Sequence, residues 1–422
     1  MKGYRGTLVD FTGNPRTEAG ALRHVEDGLL MVDQGRVAYA GPFKEMPGVE
    51  VADYSRRLLM PGFIDAHVHS AQTDVIGSHG DNLLDWLDRH TFPAEARFAD
   101  AQYAQQASDY FVDELLSHGT TTAAVFPSVH PESVHAFFRA SEKRGVRMVA
   151  GKVMMDRNCP ETVRDETESS YRDSQALIRR WHGHARLSYA VTPRFAPTSS
   201  ERQLELAGRL AQENPGVLLQ THLSENEEEV RWVAELFPWA HNYLEVYERF
   251  GMIRKGALFA HCLHLNGAEW EKLAAAGAAA VHCPSSNLFL GSGLFDFATA
   301  RRVGAIVALG SDVGGGTSFS MLRTMHEAHK VAQMRRLPFD ALDGFYLATL
   351  GGARALGMDD RIGSFETGRE ADFVVLRTDA TPLLARRMLS AETLSQRLFL
   401  LMTLGDERVI EATYVMGTKS VP

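Results

Sequence analysis

Two histidines close the apolar run LLMPGFIDAHVH (58–69), separated only by Val68. In a strand, side chains two positions apart point to the same side, so His67 and His69 project together. Two converging neutral imidazoles can bind one metal ion; the alternative for this pair alone is two hydrogen-bonded core histidines. Further along, His222 in THL, His261 in AHC and Asp312 in GSD also end apolar runs. Imidazoles with one carboxylate form a mixed N/O donor set suited to Zn2+ or a similar divalent ion. His261 reads either as a ligand or as the group that orients a metal-bound water, and Asp312 as ligand and proton acceptor. Glu225 in HLSEN stands three residues past His222, where a carboxylate can pass a water proton to a leaving nitrogen. Its alternative is the start of a solvated acidic turn, ENEEE (225–229).

These residues are useful only if the fold brings them together. Eight apolar, strand-like runs occur at 62–69, 119–126, 147–154, 187–193, 217–222, 257–261, 278–283 and 306–312. Amphipathic segments such as 101–117, 203–213 and 227–236 separate them, which is the outline of an α/β protein with a (β/α)8 barrel. An open doubly wound sheet is disfavoured because no G-x-G-x-x-G follows the first strand. In a barrel, residues at the C-terminal strand ends share one face, so the histidines, Glu225 and Asp312 would meet there. The first and last sixty residues are β-rich and Gly-punctuated, as in GLLMVDQGRVAYAGP with its hairpin turn and in VIEATYVMGTKSV (409–421). Each is too short to bury a core alone. The expected organisation is a small β-sandwich domain from 1–60 and 360–422, with a catalytic barrel over 61–359.

Bulk properties exclude several classes. The chain has 422 residues, 45% hydrophobic and 23% charged, as in globular proteins. A net charge of −9 and pI near 6.0, without Lys/Arg blocks, argue against a nucleic-acid partner. Cys159, Cys262 and Cys283 form no C-x-x-C and are odd in number, so no disulfide framework is expected and a reducing cytoplasm suits the chain. Neither a signal-peptide pattern nor an apolar run of ~18 residues appears, so no membrane partner is expected. The fourth strand ends in AVTPRF without a lysine to bridge two ions, and Lys152, inside the third run, reads as structural. One ion is expected. His282 and His264 are discounted as ligands. GSDVGGGTS lacks the Gly-Lys-[Ser/Thr] of a phosphate loop, and CPSS is not the P-C-x-x-C of cytidine-type deaminases.

Together, PGFIDAHVH, THLSEN, AHC and LGSD resemble the amidohydrolase superfamily, in its single-metal deaminase branch, over nearly the whole chain. LLDWLDRHTFPAEARF (83–98), GKVMMDRN (151–158), VTPRFAPTSS (191–200), NLFLGSGLF (287–295) and GSDVGGGTSFSML (310–322) are similar to the guanine deaminase family, particularly its bacterial members. The resemblance implies one Zn2+ per subunit on His67, His69, His222 and Asp312. It gives His261 a hydroxide-orienting role and Glu225 that of proton shuttle, with substrate contacts at Gln72, Arg194, Phe195, His222, Glu225 and Asp312. It also implies hydrolysis of guanine to xanthine and ammonia by a zinc-activated hydroxide, in a homodimer. Chemistry agrees: Arg194 can donate to O6 or N7, the Gln72 amide can donate and accept, and Phe195 can stack on the ring. The plainer alternatives are a surface ion pair, a loop amide and a core aromatic. The rival substrates are 8-oxoguanine, a pterin, a triazine or an adenosine derivative; a catalytically silent scaffold is the rival of another class.

Overall fold

The computed structural model describes residues 1–80 and 82–420. Asp81, within the 70–100 segment, and Val421, at the end of the β-rich tail, lie outside the described residues. The chain opens with β1 (Lys2–Phe11), β2 (Leu22–Asp33), β3 (Arg36–Pro42) and β4 (Val51–Pro61). The first three pair antiparallel in order, whereas β4 lies parallel to β1. Gln34 and Gly35 both take positive φ (48° and 78°), which a two-residue hairpin turn requires.

The barrel strands follow as β5 (Phe63–His69), β6 (Thr120–Phe126), β7 (Arg147–Ala150), β8 (Val153–Met154), β9 (Leu187–Pro193), β10 (Leu218–Leu223), β11 (Ala257–His261), β12 (Ala279–His282) and β13 (Ile306–Leu309). They pair in parallel in the order β5-β6-β7-β9-β10-β11-β12-β13, with β8 also against β9. β5 and β6 are buried along their whole length, as expected where helices cover a parallel sheet. Past the end of β13, the backbone closes the ring. Asp312 N donates to His67 O at 2.9 Å, and His69 N donates to Val313 O at 2.9 Å.

The structure departs from the sequence outline at three places. The apolar run 58–69 is two strands, because β4 belongs to the other sheet and the chain changes sheet at Gly62. A Cβ there would lie 2.1 Å from Thr121 Oγ1. The third run splits at Gly151, where a Cβ would meet Ala190 O at 1.6 Å. Lys152 therefore lies between strand pieces rather than inside one, its Nζ 2.6 Å from Asp165 and 3.1 Å from Ser170 Oγ. The eighth strand stops at Leu309, so Asp312 follows it by three residues.

After the barrel come β14 (Phe373–Leu376), β15 (Ile410–Val415) and β16 (Thr418–Ser420). They complete a seven-stranded sheet of order β16-β15-β14-β4-β1-β2-β3. Although β4 and β14 lie between β1 and β15, the rings of Tyr4 and Tyr414 are 5.0 Å apart. The sheet is thus curled so that its two halves face each other across a core with Leu8, Leu59, Phe373 and Val375. Between β14 and β15 run two helices, Pro382–Met388 and Leu394–Leu404, whose Leu384, Leu398 and Leu401 join the large core around the barrel. The β-rich reading of the last sixty residues had not separated them.

Candidate active site

The C-terminal strand ends gather the expected residues. β5 delivers His67 and His69 from alternate positions, β10 delivers His222 and β11 ends on His261. At or just past the strand ends, Ser224 (φ 51°), His261 (φ 72°) and Asp312 (φ 52°) are left-handed. Non-glycine residues adopt that conformation at a cost of about 1–3 kcal/mol, which surrounding structure must hold in place. All of these side chains are buried.

Around one point, Nε2 of His69 lies 3.3 Å from Nε2 of His67 and 3.3 Å from Nε2 of His222. Asp312 Oδ1 is 3.2 Å from both His67 Nε2 and His69 Nε2. A tetrahedral ion with bonds of about 2.0–2.1 Å separates its donors by roughly 3.3–3.4 Å, so these spacings fit such a site. The tautomers fit as well. His222 Nδ1 faces Arg194 O at 2.7 Å and must donate to it, leaving a bare lone pair on Nε2. His261 differs, because its Nδ1 accepts from Asn287 Nδ2 at 2.8 Å. Its neutral ring then carries hydrogen on Nε2, 3.3 Å from Glu225 Oε2 and 3.8 Å from Asp312 Oδ2. His67, His222, His261 and Asp312 also form a group of ligand atoms mutually within 4.8 Å. The tautomer favours donation by His261 over ligation.

Burial favours the neutral form of His69, His222 and His261, the form that binds metal. It lowers His69 to about 4 despite the Asp312 contact, and His261 to about 3. Burial alone would raise Asp312, but the hydrogen bonds from His67 and His69 outweigh it and hold the carboxyl well below its ordinary value. Glu225 moves the other way, raised by burial and by the charges of Asp312 and Glu229. The acidic turn is thus only partly solvated, with Glu227 and Glu228 exposed and Glu225 turned inwards. Glu229 is also buried, and its Oε2 accepts from Glu225 N at 2.8 Å and Asn226 N at 3.1 Å.

A cavity opens over the cluster, lined by His69, Gln72, Arg194, Phe195, His222, Glu225 and Asp312. Its apolar wall includes Leu83, Trp86, Leu87 and Leu290. Arg194 makes a buried ion pair with Glu95 rather than a surface one, and the Gln72 amide is buried rather than solvated. Phe195 packs in the apolar cluster of this wall while also lining the cavity. His282 stacks on Phe295 at 4.6 Å, and His264 Nε2 faces Ser292 O at 3.0 Å, so neither belongs to the donor group.

Sequence reasoning passed over Asp65, Glu95 and Asn287. Asp65 lies beneath the cluster and accepts from His67 N at 3.2 Å and Ser311 N at 3.0 Å, tying β5 to the segment that carries Asp312. A carboxylate inside the apolar run GFIDAHVH was the available signal. Asn287 and Glu95 gave none, since each acts on residues distant in the chain.

The sequence model of the amidohydrolase family matches residues 58–419. The guanine deaminase of Escherichia coli (strain K12) is 48% identical over 99% of this chain and 97% of its own length. The probable guanine deaminase of Deinococcus radiodurans is 42% identical over 99% and 98%. Among solved structures, that of E. coli guanine deaminase superposes with a TM-score of 0.98 at 47% identity, covering 100% of this chain and 99% of its own. The C. acetobutylicum guanine deaminase with guanine bound in its active site gives 0.92 at 29% identity, covering 100% of both chains.

Proposed function

This chain belongs to the amidohydrolase family, and we propose that it catalyses the hydrolytic deamination of guanine to xanthine and ammonia. The observation that carries the reading is one cavity lined by the donors His69, His222 and Asp312, the Glu225 carboxyl and the polar side chains of Gln72 and Arg194. Full-length likeness to guanine deaminases supports it. We assign His67, His69, His222 and Asp312 as ligands of a single Zn2+ per subunit. When bound, the ion lowers the pKa of a water towards about 7 and so supplies a nucleophile at neutral pH.

The chain's own residues do the rest. Gln72 and Arg194 hold the polar edge of the base and Phe195 its face, so that C2 stands about 3–3.5 Å from the attacking oxygen. Asp312 takes the remaining proton of the water, and the Nε2 hydrogen of His261 holds the oxygen in line. Glu225 takes the first proton of the water and gives it to N3, which makes C2 electrophilic, and then relays the proton held by Asp312 to the 2-amino nitrogen as the C–N bond breaks. Water plus guanine is thereby converted to xanthine plus ammonia, with no other reactant. The apolar wall keeps bulk water away from the reacting edge.

We further assign the organisation into a β domain (1–60 and 360–422) and a catalytic barrel (61–359), a homodimeric assembly and a cytoplasmic setting; no helix among the described residues is long and apolar enough to cross a membrane. The test is turnover by zinc-loaded protein of guanine, 8-oxoguanine and adenosine in parallel, with ammonia assayed alongside. Guanine should react far faster than the others. Full zinc occupancy with no guanine turnover would overturn the substrate reading and leave the pterin, triazine and adenosine-type rings to be tried.

A further inference from the structure

We propose that Glu95 is the positioning residue for base recognition: by gripping Gln72 and Arg194 together, it fixes which ring edge the site can read. The proposal rests on the guanine reading above. Glu95 has no exposed surface and lies on the short helix Phe92–Ala96, whose Phe92 packs behind the cavity's apolar wall in one cluster with Leu83, Trp86 and Leu87. Its Oε1 accepts from Gln72 Nε2 at 2.9 Å, and both of its oxygens accept from Arg194 Nη1 at 2.8 Å.

This contact determines the orientation of the Gln72 amide. Its Oε1 accepts from Gly314 N at 3.2 Å while its Nε2 donates to Glu95. A flipped amide would set two acceptors together at Glu95 and two donors together at Gly314, so only one orientation is satisfied. One N–H and one lone pair are left to face a ligand, in a fixed sense. Arg194 likewise commits its Nη1 to Glu95, which leaves Nε and Nη2 for the base. Its guanidinium carbon stands 5.4 Å from the centre of the Phe92 ring, which comes from the same helix. The carboxylate also cancels the buried positive charge, so the pocket presents oriented donors without a net charge that would favour anions over a neutral purine.

The experiment compares guanine with 2-aminopurine, which keeps the reacting amino group and lacks O6, in the wild type and in Glu95→Gln. We expect the KM for guanine to rise at least about tenfold and kcat to change less than about fivefold, with zinc content unchanged. The loss for 2-aminopurine should be about threefold or less, so that discrimination between the two rings collapses. Equal losses on both rings, or a fall in kcat with KM unmoved, would overturn the positioning role. Because Glu95→Gln leaves a lone buried guanidinium, the cycle also includes Arg194→Met and the double variant, which holds no such charge. On the Arg194→Met background, Glu95→Gln should cost less than about threefold, and multiplied losses would refute action through Arg194. If the wild type deaminates some other ring, the substrate reading falls by itself. Glu95 is then judged by crystal structures of the zinc-loaded variants: Gln72 and Arg194 unmoved without the carboxylate would overturn its role, and their displacement would uphold it.

Discussion

Glu225 and His261 face each other across 3.3 Å at the rim of the donor cluster, and what separates their tasks is the partner behind each. Asn287 feeds a hydrogen to His261 Nδ1 and so directs the imidazole's own hydrogen towards Glu225 and Asp312. Behind Glu225, the hydrogen-bond partner of its carboxyl among the described residues is Ser292, whose hydroxyl is 3.5 Å away, a long contact that lets the carboxyl turn between two substrate nitrogens. Glu225→Gln keeps the shape and removes the proton carrier. We expect zinc content to match the wild type by metal analysis, while kcat on guanine falls by about 10²–10⁴. A variant within tenfold of wild type would remove Glu225 from the mechanism. At this scale the sequence was most legible where a residue's type and its i, i+2 spacing alone imply chemistry, as for His67 and His69. It was silent on Asn287, which acts on a side chain 26 positions away that only the barrel brings near.

Elements carry these residues to the cavity, and one helix shows how. Glu227–Leu236 was legible from its amphipathic pattern, and its Asn226–Glu229 capping box follows from the sequence type. What the pattern hides is that Glu229 is buried and also accepts from Tyr243 Oη at 2.8 Å, so the cap that starts the helix also holds the backbone of Glu225. Burial raises the Glu229 carboxyl to about 7. A carboxyl raised above its ordinary 4.5 binds its proton more tightly in the fold than in the unfolded chain. Stability therefore falls as pH rises from 4.5 to 7, by about 3 kcal/mol in all, and the loss is complete above that range. Glu229→Gln removes this slope. Measured by chemical denaturation, the variant should gain on the wild type between pH 5 and pH 8; a constant difference across that interval would show that Glu229 is charged throughout. Strand ends were less legible than helix caps. Where the chain leaves the pleat early, at Leu309, or changes sheets, at Gly62, the cause is a neighbour distant in sequence.

At the scale of the molecule, the curled sheet from the chain ends is locked to the barrel at the face opposite the cavity. Arg147 at the start of β7 and Arg186 just before β9 both reach Glu370, at 2.7 Å through Arg147 Nε and 2.6 Å through Arg186 Nη2, and Arg186 also pairs with Asp372. These residues lie at N-terminal strand ends, where a barrel's residues serve stability rather than catalysis. Burial alone would raise Glu370, but the hydrogen bond from Arg147 and the charges of Arg186 and Arg147 outweigh it and hold the carboxylate at about 2. No local pattern announces this junction, since EADFVVLR reads as the start of a strand and its partners lie 223 and 184 positions away. Glu370→Gln leaves two guanidinium groups facing a neutral amide, with Asp372 as the remaining counter-charge among the described residues. Breaking a buried pair costs about 3–5 kcal/mol, so a fall in unfolding free energy of that order is expected, with guanine turnover unchanged. The pH sign is the reverse of that at Glu229. A depressed carboxylate contributes fully above 4.5, and its contribution is lost as pH falls towards 2. The gap between wild type and variant should therefore be widest near neutrality and should narrow below pH 4.5. A gap that stays constant down to pH 3 would mean that the charge of Glu370 is not what joins the sheet to the barrel.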